Sequence, residues 1–182
     1  MKKQKGFTLL EMIISIGIFV LVVTASSVVF NQALRAYSYT TSRMAAAREA
    51  GLAMDRIMQD IRPDTTTGTK PILEGIAPRI SDNTQIALTL PAPEGDVRYH
   101  RVADPLNPGF FTIQRQRIYA AGQPNDLLAR NVITLRFDYY DNANQALNPA
   151  LPGLGANTET VEVTIETQVN NQIFRLYNVA NR

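Results

Sequence analysis

Cysteine and tryptophan are absent from the 182-residue chain, and histidine occurs once, at His100. Without cysteine the fold has no disulfide, no thiolate zinc site and no cysteine nucleophile, so its stability must come from packing. A single imidazole excludes any catalytic or metal site that needs two histidines. The chain also lacks the G-x-S-x-G, phosphate-loop and H-E-x-x-H patterns. We therefore expect no enzyme and no cofactor.

The basic excess of the chain is confined to its start. The formal net charge is +2, and removing Lys2, Lys3 and Lys5 with the rest of residues 1–6 leaves −1. The isoelectric point of the whole chain is basic because of these lysines, so it is no argument that the protein binds nucleic acid. Hydrophobic residues make up 45% of the chain and charged residues 19%, which is typical of a folded domain.

Residues 7–30 are apolar except for one charge, Glu11. A helix of this length covers about 36 Å, which exceeds the ~30 Å hydrocarbon core of a bilayer. The segment therefore predicts one transmembrane helix. Because the basic residues precede it, we expect a cytoplasmic N-terminus and a head on the other side of the membrane.

A cleaved secretory signal peptide is the alternative interpretation, since Thr24, Ala25 and Ser26 resemble a cleavage region. Two features oppose it. The apolar segment is longer than an ordinary signal core, and a carboxylate such as Glu11 costs roughly 2–3 kcal/mol at membrane depth. That cost calls for something that compensates the charge.

The string from Lys5 to Glu11, KGFTLLE, stands between a short basic leader and an apolar helix. It resembles the processing motif of type IV prepilins and type II secretion pseudopilins. The resemblance implies that a prepilin peptidase cuts after Gly6 and that Phe7 becomes N-methylated. A residue without a side chain at the end of the leader lets an active site approach the backbone closely.

The same resemblance gives Glu11 a role in assembly, in which its carboxylate pairs with the N-terminal ammonium of a neighbouring subunit. Such a pair would compensate a charge that is otherwise unpaired in the membrane. The alternative is a glutamate near the cytoplasmic face whose carboxylate reaches the interface.

No proline occurs before Pro63, so a continuous helix is predicted from Phe7 to about Ile61. Apolar or small residues spaced by three or four form one stripe, which we expect to pack on the head: Leu34, Tyr37, Thr41, Met44, Ala47, Gly51, Met54, Met58 and Ile61. The charged residues between them, Asp60 included, are predicted to face solvent or other subunits. The organisation expected is a leader (1–6), a membrane helix (7–30), an amphipathic helix (31–62) and a head (63–182).

The head alternates strand-like segments with turn residues. The strands predicted are Gln85–Leu90, Asp96–Val102, Phe110–Arg115, Asn131–Tyr140, Thr158–Gln168 and Ile173–Val179. No helical pattern separates them, so the fold class expected is α+β, with an antiparallel sheet on the long helix. Residues 64–83 are predicted to form a crossing loop, and residues 141–157 an exposed loop.

Within this superfamily the head is similar to minor subunits, namely the J-type minor pseudopilin of type II secretion and the W-type minor pilin. The resemblance implies a subunit that initiates a pilus or pseudopilus together with other minor and major subunits, from the inner membrane. Two other functions stay open: a permanently anchored periplasmic binding protein, and a secreted hydrolase.

Three further groups of residues were weighed as sites. His100 lies between Arg98 and Arg101 and is interpreted as an ordinary strand residue. An Asp and Asn cluster is interpreted as a turn rather than a calcium site, because it lacks a central glycine and a closing glutamate: Asp138, Asp141, Asn142 and Asn144. A third group could form a basic and aromatic patch for DNA, but interleaved strand residues are the interpretation preferred: Arg115, Arg117, Arg130, Phe110, Phe111 and Tyr119.

Overall fold

In this computed structural model, the residues described are 8–62, 72–73, 75–76, 79–80, 84–90, 95–118, 125–149 and 154–182. The chain divides into two compact units, residues 1–42 and residues 43–182. Gly6 and Phe7 lie outside the described residues, as does most of the predicted crossing loop.

Helix α1 runs over Leu9–Ile61, 53 residues without a proline. Its apolar part is exposed in the first unit. Two hydroxyls there are satisfied within the helix, since Thr24 donates to the carbonyl of Val20 and Ser27 to that of Val23, each at 2.8 Å. The helix ends just before Arg62, because a residue that precedes proline is pushed out of the helical region. The predicted end of the helix is confirmed.

The second unit contains the strands and a short helix. Their bounds are β1 (Ile72–Leu73), β2 (Gly75–Ile76), β3 (Arg79–Ile80), β4 (Gln85–Thr89), β5 (Asp96–Ala103), β6 (Phe111–Arg117), β7 (Asp126–Tyr140), β8 (Ala146–Leu147), α2 (Leu154–Asn157), β9 (Thr160–Val169) and β10 (Gln172–Asn181). Eight strands form one antiparallel sheet in the order β1-β4-β5-β6-β7-β9-β10, with β8 paired to β7, and β2 pairs with β3. The predicted α+β class and its antiparallel sheet are confirmed.

Strand β7 is bent in the middle and belongs to both halves of the sheet. Its first part pairs with β6 and its second part with β9. Asn131 lies at the bend with φ of 54°, a left-handed conformation that asparagine tolerates better than most residues. Beyond the bend, the Tyr139 hydroxyl donates to the carbonyl of Gln85 on β4 at 3.3 Å. The sheet therefore curves back on itself.

The core lies between this sheet and about the last four and a half turns of α1. The buried helix residues are Ala46, Ala50, Ala53, Met54, Ile57, Met58, Asp60 and Ile61. The predicted stripe is thus right from Met54 onward and wrong before it, since Tyr37 and Met44 are 71% and 67% exposed. The buried face begins instead with alanines, whose small side chains let a sheet approach the helix closely but do not stand out in an apolar pattern.

The six predicted strands are confirmed, and β7 begins five residues earlier than expected. The predicted exposed loop after it is partly wrong. It contains β8 and α2, and Leu154 at the start of α2 belongs to the buried core. A leucine in a segment rich in proline and glycine gave no periodic signal that it would be buried.

Candidate functional site

The N-terminal end of α1 is closed by two side chains that bind each other's backbone. The amide of Thr8 donates to Glu11 Oε2 at 2.9 Å, and the Thr8 hydroxyl donates to the same oxygen at 3.0 Å. In return, the amide of Glu11 donates to Thr8 Oγ1 at 3.3 Å. This reciprocal arrangement is a capping box, which satisfies donors that a helix otherwise leaves without partners.

The capping box changes how the charge of Glu11 is compensated. One carboxylate oxygen already accepts two hydrogen bonds from its own chain. The other, Oε1, has no partner among the described residues and is available to a further donor. The sequence contained the signal for this box, a threonine three residues before a glutamate at the start of an apolar run, but the sequence interpretation missed it.

A cut after Gly6 would place a new ammonium on Phe7, directly before the helix cap. The N-terminal end of a helix carries a partial positive charge, so an ammonium is unfavourable there, whereas a carboxylate in the first turn is favourable. Glu11 lies in that turn, where a carboxylate would offset both charges. The carboxylate is therefore suited to hold an ammonium near the end of α1, whichever chain supplies it.

Helix α1 is also long and apolar enough to cross a membrane, by length and composition. It is the one helix of the described residues that meets this condition.

Residues 1–27 match the family model of the prokaryotic N-terminal methylation motif. The chain begins with an N-terminal methylation motif. The match contains the predicted cut after Gly6, the predicted methylation site at Phe7 and Glu11. No curated protein matches the chain significantly. The methylation motif, the apolar helix and the antiparallel sheet together form a pilin-like arrangement.

A second cluster of polar side chains lies in the core of the head, and we call it the Asp60 cluster. It consists of Asp60 on α1, Tyr99 on β5 and Arg115 on β6, all buried. Arg115 Nε donates to Asp60 Oδ2 at 3.1 Å and to the Tyr99 oxygen at 3.0 Å. The Tyr99 hydroxyl donates to the same Asp60 oxygen. The prediction that Asp60 faces solvent is therefore wrong.

The Asp60 cluster fixes the last turns of α1 to the sheet. Burial, and next the negative charge of Asp60, raise the pKa of Tyr99 well above its ordinary value, so the phenol keeps its proton and donates it to the carboxylate. Arg56 adds a longer contact to Asp60 at 3.6 Å, and Asp126 lies 3.9 Å from Arg115. Every charged group of the cluster is thus paired, which is the condition for burying it. The cluster is a structural anchor.

The structure does not bring the candidate DNA-binding residues onto one surface. Arg115 is buried in the Asp60 cluster, whereas Arg117 is exposed at the end of β6 and Arg130 is exposed on β7. Phe111 lies under the guanidinium of Arg101. Tyr119 lies outside the described residues.

The aspartates and asparagines around residue 141 form a turn held by its own backbone. Asp141 Oδ1 accepts the amides of Ala143 and Gln145 at 2.9 and 2.7 Å, and Asp138 binds Arg136 at 2.8 Å. Their carboxylates are therefore engaged within the chain. The described part of the chain contains no group of three His, Cys, Asp or Glu residues that could hold a metal ion.

His100 lies on β5 between Gln85 of β4 and Gln114 of β6. It is half-buried, and that burial, together with the charge of Arg98, lowers the pKa of its imidazole. The imidazole is therefore neutral at neutral pH, and the predicted location of His100 in a strand is confirmed.

Proposed function

We propose that the protein is a minor pilin or pseudopilin, a structural subunit that helps initiate or cap a type IV pilus or a type II secretion pseudopilus. Prepilin peptidase would cut after Gly6, and Phe7 would be N-methylated. The observation that carries this proposal is the match of residues 1–27 to the N-terminal methylation motif.

The geometry of Glu11 supports a role in assembly. Its Oε2 caps the helix of its own chain, while Oε1 has no partner in the described part of the chain. A neighbouring subunit's N-terminal ammonium is a donor of the charge and size that this oxygen requires. Pairing between chains would then offset the free-energy cost of placing the Glu11 carboxylate, with only one of its oxygens hydrogen-bonded, in the membrane.

The location follows from the charge pattern. Three lysines precede α1, so the N-terminus would lie in the cytoplasm and the head in the periplasm, with α1 in the inner membrane until assembly. The partners are prepilin peptidase and other minor and major subunits.

Mass spectrometry of the N-terminus from the native host tests the proposal. A subunit that begins with N-methylated Phe7 supports it. An intact Met1 would indicate a permanently anchored periplasmic binding protein, and a start near Ser26 would indicate a secreted protein; either result overturns it.

The cut itself is tested by side-chain size at residue 6. Gly6→Ala should be processed weakly and Gly6→Val not at all, because a β-branched side chain blocks close approach to the backbone. The measurement is a gel that resolves the six-residue leader. A Gly6→Val protein of mature size would show that the cut lies elsewhere.

A further inference from the structure

Strand β10 lies at one end of the main sheet, where it pairs with β9 on one side and with no described strand on the other. It is ten residues long, and all ten are matched to β9 without a bulge. The strand contains no proline or lysine and a single charge, Arg175. Proteins usually keep an edge strand short, bulged or rich in charge, because its outer backbone groups invite pairing with another strand. Strand β10 has none of these protections.

The hairpin between β9 and β10 determines which backbone groups of β10 point outward. Asn170 and Asn171 have φ of 52° and 62°, as a two-residue type I′ turn requires. The two residues that flank such a turn exchange hydrogen bonds, so the even-numbered residues of β10 bind β9 and the odd-numbered ones direct their amides and carbonyls away from it. The amide of Val179 agrees with this alternation, since it donates to Oδ1 of the preceding Asn178 at 2.9 Å. The outer edge therefore carries the backbone groups of four residues: Ile173, Arg175, Tyr177 and Val179.

The side chains of these four residues lie on the exposed face of the sheet, because successive residues of a strand alternate between its faces. Ile173 is 61% exposed and Tyr177 57%. Leu176 lies on the opposite face, where it is half-buried at the margin of the core. The edge thus combines outward backbone groups with exposed apolar side chains, which is the composition of a site for strand addition.

The order of side chains along β10 fits a second copy of the same strand. In an antiparallel pair with a two-fold axis, one residue lies opposite itself, and the overlap is longest when that residue is Leu176 or Tyr177. Placing Leu176 at the axis sets Ile173 opposite Val179 of the second copy, and Arg175 opposite Tyr177 of the second copy. The first pair is apolar, and the second places a guanidinium beside an aromatic ring.

The charges on the exposed face favour the same register. The Tyr177 hydroxyl donates to Glu162 Oε1 at 2.6 Å, so an arginine opposite Tyr177 also approaches a carboxylate. Placing Tyr177 at the axis instead would set Arg175 opposite Val179 and Ile173 opposite Asn181, which pairs polar with apolar side chains. Placing Arg175 at the axis would bring two guanidinium groups together. The register with Leu176 at the axis is therefore the complementary one.

We infer that β10 pairs antiparallel with β10 of a second copy of this chain, with Leu176 of one copy opposite Leu176 of the other. The main sheet then continues from one head into the next. A single strand pair is a small interface compared with the roughly 1,200 Å² or more of a stable complex, so the pairing is transient. The inference does not depend on the proposed function, because a permanently anchored protein has the same edge.

The absence of cysteine makes the test direct, since an introduced cysteine is the only thiol of each chain. The full chain carrying Leu176→Cys is oxidised in membranes and run on a non-reducing gel. In the inferred register residue 176 occupies a position without hydrogen bonds, where opposing Cα atoms are about 4.5 Å apart and a disulfide can form. We expect a disulfide-linked dimer.

Ile173→Cys is the matched control on the same strand. Ile173 is more exposed than Leu176, so random collision would favour Ile173→Cys. In the inferred register, however, the two copies of residue 173 lie about 20 Å out of alignment, beyond the reach of a disulfide. We expect roughly fivefold less dimer from Ile173→Cys than from Leu176→Cys.

Mixing two variants restores a pair of opposing thiols. Ile173→Cys chains and differently tagged Val179→Cys chains should form more mixed disulfide than either forms with itself, because residues 173 and 179 lie opposite each other. Both side chains are exposed, so this measurement remains valid if Leu176→Cys fails to fold.

A lysine on the edge should prevent the pairing. Ile173→Lys, added to Leu176→Cys, should lower the yield of dimer several-fold, because it places a charge opposite Val179. Leu127→Lys makes a similar change at an exposed position of β7 and should leave the yield unchanged.

Three results would overturn the inference. The first is a yield of dimer from Ile173→Cys that equals or exceeds the yield from Leu176→Cys. The second is the absence of a mixed disulfide between residues 173 and 179. The third is crosslinking of Leu176→Cys in the native host to a different protein and not to itself, which would assign the edge of β10 to a strand of that protein.

Discussion

Arg115 donates to Asp60 at 3.1 Å, and the two side chains are only 3% and 7% exposed. The pair joins the last turn of α1 to the third long strand of the head, 55 residues later. Within the described residues no other ion pair has both members buried. The docking of the helix end on the sheet therefore depends on a polar contact inside an apolar core.

Removing one member of this pair should be costly. Asp60→Ala removes the carboxylate that lies 3.1 Å from the buried Arg115 guanidinium, and we expect a loss of about 3–5 kcal/mol in the free energy of unfolding. Asp55→Ala removes an exposed carboxylate from the same helix and should change it by less than about 0.5 kcal/mol. Denaturant unfolding of the full protein in detergent measures both. Equal midpoints would show that Asp60 does not hold the helix.

The double change Asp60→Leu with Arg115→Leu completes this test. Replacing both charges by apolar groups removes the unpaired ion, so the double variant should be more stable than Asp60→Ala. A double variant as unstable as Asp60→Ala would mean that packing around Tyr99, rather than the ion pair, sets the cost.

Alkaline pH should destabilise the head through its tyrosines. Burial and the charge of Asp60 raise the pKa of Tyr99, and the hydrogen bond to Glu162 raises the pKa of Tyr177 to about 12. In the unfolded chain both ionise near pH 10, so the folded state holds more protons above that pH. The free energy of unfolding should therefore be steady below about pH 10 and fall as the pH rises above it.

Two phenylalanine variants distinguish these tyrosines. Tyr177→Phe should flatten the alkaline decline with little loss at neutral pH, because Tyr177 is exposed. Tyr99→Phe should flatten the decline as well, but lower the stability at neutral pH by leaving the Asp60 cluster without one donor. Unfolding midpoints between pH 8 and pH 12 give both quantities. An unchanged alkaline slope in both variants would contradict the assignment.

The alanine face of α1 should resist enlargement. Ala53 is fully buried against the sheet, so Ala53→Leu forces the helix away from it and should cost about 1–3 kcal/mol in the free energy of unfolding. Ala47→Leu makes the same change at an exposed position of the same helix and should cost almost nothing. If both variants melt at the same temperature, the inference that the sheet packs closely on the helix at Ala53 is wrong.

Glu11 has two roles that one comparison separates. If it only caps the helix, Thr8→Ala, which removes the hydroxyl of the capping box, should impair assembly as much as Glu11→Ala does. If its carboxylate pairs with a neighbouring chain, Glu11→Ala should reduce crosslinking to partner subunits, and Thr8→Ala should not. Both proteins should insert into the membrane normally, because Glu11→Ala removes a charge and Thr8→Ala removes only a hydroxyl. If the Glu11→Ala protein crosslinks to partner subunits as well as the wild type does, Glu11 has no role in assembly.

The sequence predicted the features that depend on strong local patterns. The apolar run after Lys5, the absence of proline before Pro63 and the alternation in β9 each favour one structure over the others. The helix, its end and the six long strands are accordingly confirmed. The motif around Gly6 and Phe7 could also be recognised from the sequence, because its residues are contiguous in the chain.

The features that the sequence interpretation missed depend on residues far apart in the chain. Asp60 looks like any charged residue of an exposed helix face, and only its contacts with Tyr99 and Arg115 make burial possible. Alanines at 46, 50 and 53 carry too little hydrophobicity to mark a face, although the sheet packs on them. The capping box is the exception, since Thr8 and Glu11 are three residues apart and could have been found.

The order of the strands has a consequence for how the head is made. From β4 to β7 each long strand pairs with the one before it in the chain, and β9 and β10 continue from β7. Strands that pair with their sequence neighbours close short loops, so this sheet can grow as the chain is synthesised, without waiting for its last residues. The helix is synthesised first and can dock only when β5 and β6 have arrived with Tyr99 and Arg115. Premature arrest before residue 115 would therefore leave the helix without the tyrosine and arginine that make burial of its aspartate possible.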